Sequence, residues 1–322
     1  MKYHPIIFSA ESVRANLAGM KTRSGEWWDY SWNVAPGCTK VSEECTHCWA
    51  LAMARRLQGM GKPGYEGLVT SLTTPPPAPP QIKKHHLERG AGWTGRVNLM
   101  EERLKDPLRL KRPRMIAVNL MGDLFHQEVP ISFDLAVFDV MAQAYWHTFM
   151  VLTKRPERIV AILKGWQGRP QGSPLRNVWI GTTAGTQRSA NERWSAMAWM
   201  AQQGWHTWVS SEPRLERINW HGWEFLQWMV TGGESGPYAR PMAPSWARAD
   251  RDWCREHFVA FWFKQWGEWA PSSNPTPNPS PNRREYLRMM VGGEMVFRFG
   301  RKQSGRMLDG RTWEDFPGGE RR

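Results

Sequence analysis

The stretch Ser31-Trp-Asn-Val-Ala-Pro-Gly-Cys38-Thr-Lys-Val-Ser-Glu-Glu-Cys45-Thr-His-Cys48-Trp-Ala50 holds all but one of the chain's 4 cysteines. An apolar, strand-like entry leads into the first thiol. Trp49-Ala-Leu-Ala-Met-Ala-Arg-Arg-Leu57 leaves the last with helical spacing. Three thiols on a strand-to-helix loop make a ligand set one short of closed, which suggests a metal cluster with a free coordination position. Cys45 and Cys48 are too close in sequence to staple distant segments. In a chain of 322 residues the cluster therefore reads as a metal site in a reducing compartment, not a disulfide framework.

Outward from this loop the chain alternates short apolar runs with longer helical patterns. Residues 31–35 read as the first strand and 47–60 as the helix behind it. Residues 61–95 are rich in Gly and Pro, with Thr73-Thr-Pro-Pro-Pro-Ala-Pro-Pro80 at their centre, and read as an irregular excursion or lid. Strands are then expected at 96–100, 115–121, 148–152, 177–181, 206–210, 228–231 and 259–263. Between them, helices are expected at 101–110, 131–145, 156–166 and 187–203, and from a Ser245 cap to about 257. Eight strands, mostly apolar on both faces, with helical crossovers imply a parallel sheet. The fold class is α/β, a (β/α)8 TIM-like barrel, complete or partial; an open doubly wound sheet is the alternative.

The expected organisation is an N-terminal extension over 1–30 with a short helix from Glu11 to Met20, then a barrel over 31–270 with the 61–95 insertion. A Pro-rich linker over 271–285 and a small C-terminal hairpin region over 286–322 follow, the hairpin turning at Gly292-Gly293-Glu294. No apolar run approaches the ~20 residues of a membrane span, and Met1-Lys-Tyr-His-Pro5 lacks a signal-peptide layout. A cytoplasmic protein is expected. A net charge of +13 favours a polyanionic partner over mere solubility. The 21 tryptophans fill core positions, and some are available to stack on bases.

In a β/α barrel the chemistry sits at the C-terminal strand ends, and here those ends are polar. They offer Asn119 and Asp123, Thr153-Lys154-Arg155, Thr182-Thr183, Ser210-Ser211-Glu212, Gly232-Gly233-Glu234-Ser235, and Lys264-Gln265. Glu212, Lys264 and Asp123 are the candidate catalytic groups. Asn119 and the Gly232-Gly233-Glu234-Ser235 turn, whose N–H groups would face a ligand, are candidates for cofactor binding. Lys154, Arg155 and Lys264 suit phosphate or carboxylate groups, or else pair with Asp123 and Glu212. Thiolates at Cys38, Cys45 and Cys48 fit an iron–sulfur cluster, or zinc with a fourth ligand from His47, His4 or Cys254. Cys254, inside an expected helix, suits packing as a small apolar residue. No Walker loop, dinucleotide fingerprint, His-Glu-x-x-His or nucleophile elbow is found in the sequence.

Trp32-Asn33, Gly37-Cys38-Thr39, Val41-Ser42, Cys45-x-x-Cys48, Asp123-Leu-Phe-His126, Val151-Leu-Thr-Lys-Arg-Pro156, Gly232-Gly-Glu-Ser-Gly236 and Phe263-Lys-Gln-Trp-Gly-Glu268 occur in this order. With these motifs the chain resembles the phage protein Gp37/Gp68 family from about Trp32 to Trp269. Its cysteine loop and barrel are in turn similar to those of radical SAM enzymes, including spore photoproduct lyase-like proteins. That resemblance implies a [4Fe–4S] cluster on Cys38, Cys45 and Cys48, with S-adenosylmethionine chelated to it. His47 would lie near the adenine, and a 5′-deoxyadenosyl radical would abstract hydrogen from the substrate.

Two features depart from that pattern. The spacing here is C-x6-C-x2-C where C-x3-C-x2-C is usual. The Gly-Gly-Glu follows the seventh expected strand where the second is usual, so Glu234 would contact substrate. Met100-Glu101-Glu102 then offers an alternative carboxylate for the methionine amino group.

The resulting expectation is a phage-type radical SAM enzyme of the bacterial host cytoplasm that modifies or repairs a nucleic acid or nucleotide. It would be served by a flavodoxin or ferredoxin as electron donor. One alternative is a nucleic-acid-binding or host-interaction protein with structural zinc at the cysteines. Another is a DNA repair protein whose cluster transfers electrons without S-adenosylmethionine.

Overall fold

The computed structural model describes residues 27–71, 91–166, 174–273 and 287–317. The helix expected from Glu11 to Met20 and most of the Pro-rich linker lie outside them. The elements run β1 (Tyr30–Trp32), α1 (Trp49–Gly59), β2 (Val69–Ser71), β3 (Ala91–Trp93), α2 (Asp106–Arg109), β4 (Met115–Val118), α3 (Ile131–Gln143), β5 (Thr148–Thr153), α4 (Pro156–Gly165) and β6 (Val178–Thr183). Then come α5 (Gln187–Gln202), β7 (His206–Ser211), β8 (Trp228–Gly232), α6 (Pro244–Glu256), β9 (Ala260–Gln265), β10 (Trp269–Pro271), β11 (Arg288–Val291), β12 (Glu294–Arg298) and α7 (Arg301–Ser304).

The main sheet has 7 strands in the order β1-β4-β5-β6-β7-β8-β9, all pairs parallel. Each new strand joins the same edge. Right-handed crossovers then place every connection on one face, and the sheet curls around the other. β1 and β9 are not neighbours, so the sheet is a partial barrel, open on one side.

The second expected strand, 96–100, does not join the sheet. Asn98 and Met100 donate backbone bonds to Pro36 and Val34 at 3.0 and 2.8 Å. That register runs antiparallel to the exit of β1, which a parallel barrel cannot extend. β1 itself stops at Trp32 because the Asn119 side chain, not a strand, takes the next amides, those of Val34 and Ala35. The excursion read as irregular contains the short antiparallel pair β2–β3. α6 starts one residue before the expected cap, with Pro244 in its first turn and Ala243 as N-cap. β11 and β12 form the expected hairpin, and β10 pairs with its second strand.

Strand residues alternate between two cores. Ile116, Val118, Phe149, Val151, Ile180, Val209, Met229 and Phe261 pack outward against α3, α4, α5 and α6. Cys254 belongs to that core, its Sγ 3.6 Å from Met229 Sδ. The inner face carries Ala117, Met150, Trp208, Trp228, Val230 and Trp262, plugged by Trp27 and Trp28. The Trp27 ring lies 5.2 Å from Trp208 and 5.6 Å from Trp228. Gly181 makes room for Trp208, whose indole lies 2.3 Å from where a β-carbon would stand. Each buried indole removes on the order of 200 Å² from water, about 5 kcal/mol of gross stabilisation. Among the described tryptophans only Trp49 and Trp194 are exposed. No described helix is long and apolar enough to cross a membrane.

One buried charge stands apart. Asp134 on α3 is fully buried, and among the described residues neither carboxyl oxygen has a hydrogen bond; Arg158 is 3.7 Å away. Burial pushes its carboxyl from 3.8 up to about 8, with Arg158 opposing. Between those values the folded state holds a proton that the unfolded chain has released, so stability falls as pH rises through the window. Asp134→Asn should remove this loss. Chemical denaturation is expected to show the variant gaining on the wild type by on the order of 2–4 kcal/mol between about pH 5 and pH 8. A constant difference across that range would refute the assignment.

Candidate cofactor site

The cysteine loop is fixed at its start by backbone approaches that only certain residues allow. Asn119, with φ 54°, accepts from the Val34 and Ala35 amides at 3.2 and 2.9 Å and donates to Ala35 O at 2.9 Å. Asn33 Oδ1 accepts from the Met121 amide at 3.1 Å. A β-carbon on Gly37 would stand 2.2 Å from Arg96 O, and one on Gly122 2.5 Å from Ala35 O. The Trp-Asn and Gly-Cys motifs thus set the direction in which the thiols are presented.

The next hold comes from β5. Asp123 accepts from Thr153 Oγ1 (2.6 Å), the Phe125 and Lys154 amides (3.2 and 3.1 Å) and Arg155 Nη1 (2.8 Å). Arg155 Nη2 reaches Thr39 Oγ1 at 2.8 Å, and His126 Nε2 meets the same hydroxyl at 2.9 Å. Asp123 therefore aims Arg155 at the cysteine loop, where Nη1 lies 3.8 Å from Cys38 Sγ.

A turn over Glu43–Cys45 carries the second thiol, and Cys48 is the N-cap of α1. Cys38, Cys45 and Cys48 line one cavity of about 120 Å³ with Asn119, Asp123 and Lys154. Burial, reinforced by Asp123, pushes the Cys38 thiol up to about 11, and burial also raises Cys48. At Cys45 burial is outweighed by Lys154 and by hydrogen bonds from Val41 and Ser42, and the thiol is lowered. Among the described residues no three His, Cys, Asp or Glu side chains converge on a single ion position.

This cavity adjoins a pocket of about 220 Å³ at the strand ends; Cys48, Trp49, Leu120, Leu152, Lys154 and Thr183 line both. The pocket collects Glu44, His47, Glu212, Glu234, Ser235 and Lys264 over a floor of Trp27 and Trp28. Glu212 pairs with Lys264 Nζ at 2.6 Å and accepts from Gln265 at 3.2 Å, while Gln265 also donates to Ser235 at 3.0 Å. Glu234 accepts from His47 Nδ1 (2.9 Å) and from the Arg240 amide, Nε and Nη2 (2.7, 2.9 and 2.6 Å). Burial would raise its carboxyl, but Arg240 and His47 outweigh burial and hold it below the usual range.

The expected residues are thus brought together in two groups: the thiols with Asn119 and Asp123, and the pocket residues. Within these groups several roles differ from the sequence reading. The Asn119 amide is engaged with the β1 exit. Gly233 does not turn an open N–H to a ligand, because it donates to Gln265 O at 2.9 Å. A β-carbon there would stand 1.9 Å from Trp266 O, and one on Gly267 2.1 Å from Glu234 O, so the two loops interlock by close approach. A β-carbon on Gly232 would likewise stand 3.3 Å from Glu212 Cδ. Glu101 and Glu102 are exposed and line neither cavity.

Glu44, Arg193 and Arg240 escaped the sequence reading. Glu44 accepts from the Gly185 amide at 2.8 Å and faces Arg193 Nη1 at 3.6 Å; Arg193 also donates to Thr183 O and, at 3.1 Å, to Ser42 Oγ. Burial would raise Glu44, yet the Ser189 and Ser42 hydroxyls, Arg193 and Gly185 bring it down to about 2. The available signal was Arg193 itself, a charge on the buried stripe of α5 with Ser189, Ala190, Ala196 and Met197.

A family model described as "Protein of unknown function (DUF5131)" matches residues 22–317. The phage naming expected from the motifs is not part of that description. No curated protein matches the chain. Solved structures of spore photoproduct lyase are similar to it at low identity. A point mutant shares 7% identity over 91% of this chain and 72% of that one, with a TM-score of 0.40. The protein complexed with dinucleoside spore photoproduct shares 9% over 87% and 71%, at 0.38. A double mutant with bound AdoMet and dinucleoside spore photoproduct shares 8% over 91% and 72%, at 0.36.

Proposed function

Because the chain belongs to the DUF5131 family, whose function is unknown, we propose its activity from the site: a radical SAM-type enzyme acting on a nucleic acid or nucleotide. The observation that carries this reading is the joined pair of cavities, one walled by three thiols and the other by polar side chains. Cys38, Cys45 and Cys48 would hold a [4Fe–4S] cluster, leaving a coordination position for S-adenosylmethionine in the adjoining pocket. When bound, the pair would supply one-electron chemistry that removes hydrogen from an unactivated C–H bond.

The chain's own residues do the rest. Asp123 and Arg155 steady the Cys38 end of the loop, and His47 and Glu234 its Cys48 end. Glu212, Lys264 and Gln265 form a hydrogen-bonded set at the mouth, where a carboxylate and an ammonium can meet substrate. The buried Trp27 and Trp28 floor keeps water from entering beneath. A net charge of +13 suits a phosphate-bearing substrate, and an external flavodoxin or ferredoxin would deliver the electron.

Protein purified without oxygen is expected to contain roughly four iron and four sulfide per chain and, once reduced, to cleave S-adenosylmethionine. Stoichiometric zinc with no iron would overturn the proposal in favour of a structural metal.

A further inference from the structure

The polar pocket contains two buried side chains with a hydrogen-bonding atom left over. The Glu44 side chain is 0% exposed. Its Oε1 takes the Gly185 amide, while its Oε2 makes no hydrogen bond among the described residues. The His47 side chain is 10% exposed. Its Nδ1 donates to Glu234, since an ionised carboxylate only accepts. Its Nε2 is buried and also makes no hydrogen bond among the described residues. Buried polar atoms are rarely left unmatched, and a carboxylate oxygen left over in a pocket calls for a ligand that brings a donor.

The other carboxylates of the pocket are already matched. Both Glu234 oxygens are taken by Arg240, one of them also by His47. The Glu212 oxygens are taken by Lys264 and Gln265, one each. Glu44 Oε2 alone among them makes no hydrogen bond of good geometry among the described residues, although the Ser42 and Ser189 hydroxyls lie near the carboxylate.

We infer that Glu44 Oε2 receives a primary ammonium group of the small ligand held in the pocket. This assignment rests on the function proposed above, on which that group is the α-amino group of S-adenosylmethionine. It replaces Glu234 and the Glu101-Glu102 pair as the carboxylate for that task. The longer gap between Cys38 and Cys45 then has a purpose, because it places Glu44 within the loop and turns it inward.

The test is anaerobic equilibrium dialysis of the cluster-loaded protein with S-adenosylmethionine and with its des-amino analogue, which lacks only the amine. Wild type and Glu44→Gln are compared, with iron content measured for each. The variant is expected to bind S-adenosylmethionine about 10- to 100-fold more weakly, as for loss of a hydrogen bond to a charged group. Its affinity for the analogue should change less than about threefold, so that the preference for the amine collapses.

An unchanged preference overturns the inference. So does equal weakening of both ligands, which would mean that Glu44 only holds the loop through Gly185 and Arg193. If Glu44→Gln loses its iron, Glu44→Asp, which keeps the charge but withdraws it by one methylene, is judged by the same outcomes. A cluster-loaded wild type that binds neither ligand would defeat the functional proposal and this assignment with it. A wild type that binds S-adenosylmethionine beside a variant that binds it equally well would defeat this assignment alone.

Discussion

Cys48→Ala is expected to give a folded protein without iron. Cys48 caps α1 by position, without a side-chain cap bond, so its loss removes no helix-starting contact. The loop is held independently, by Glu44 on Gly185, Arg155 on Thr39 and His47 on Glu234. Trimming one thiol should therefore cost about 1 kcal/mol through a small void. A cluster with three protein ligands cannot spare one, so iron content, visible absorbance and S-adenosylmethionine cleavage should all fall to background. Far-UV circular dichroism should match the wild type, with the thermal midpoint within a few degrees. Unfolding of this variant would point to a structural metal, whose binding energy is folding energy.

Asp250→Ala is expected to have the largest effect on stability. Arg214 and Asp250 are both 0% exposed, with Nη2 2.8 Å from Oδ1. The carboxylate also accepts from Trp220 Nε1 at 2.7 Å and Thr231 Oγ1 at 3.0 Å. Burial already lowers the Arg214 guanidinium below its ordinary value despite that partner. Removing the carboxylate strands a buried cation and two donors, a loss of about 3–5 kcal/mol. Urea titration of the variant should show this, whereas Arg214→Met combined with Asp250→Leu should lose much less. A single-variant loss below about 1 kcal/mol would mean that water reaches the pair.

Much of this architecture was readable from periodicity. Strands buried on both faces read as unbroken apolar runs, which is why β4 to β9 could be placed, and their polar ends marked the mouth. What could not be read depends on approach across the fold. Residues 96–100 have the composition of a strand, but their direction against Val34 and Pro36 is a tertiary fact. Gly232-Gly233 resembles a ligand-facing turn until Trp266 O appears beneath it. The inward turn of Glu44 follows from a loop amide 141 positions away, that of Gly185, and a loop without period gives no hint of which side chain points in. The tryptophans were ambiguous for a related reason: composition counts indoles but does not say which face of the sheet holds them.

The tryptophan plug bears on traffic. Trp27 and Trp28 seal the barrel interior below the pocket against Trp208, Trp228 and Trp262, so entry from the N-terminal side is closed. Exchange through the mouth runs past Glu212, Lys264 and Ser235. Whatever rests deepest must load first and leave last, and a polymer lying across the mouth would hold it in place. The order of addition and release is thus written into the filling of the sheet's inner face.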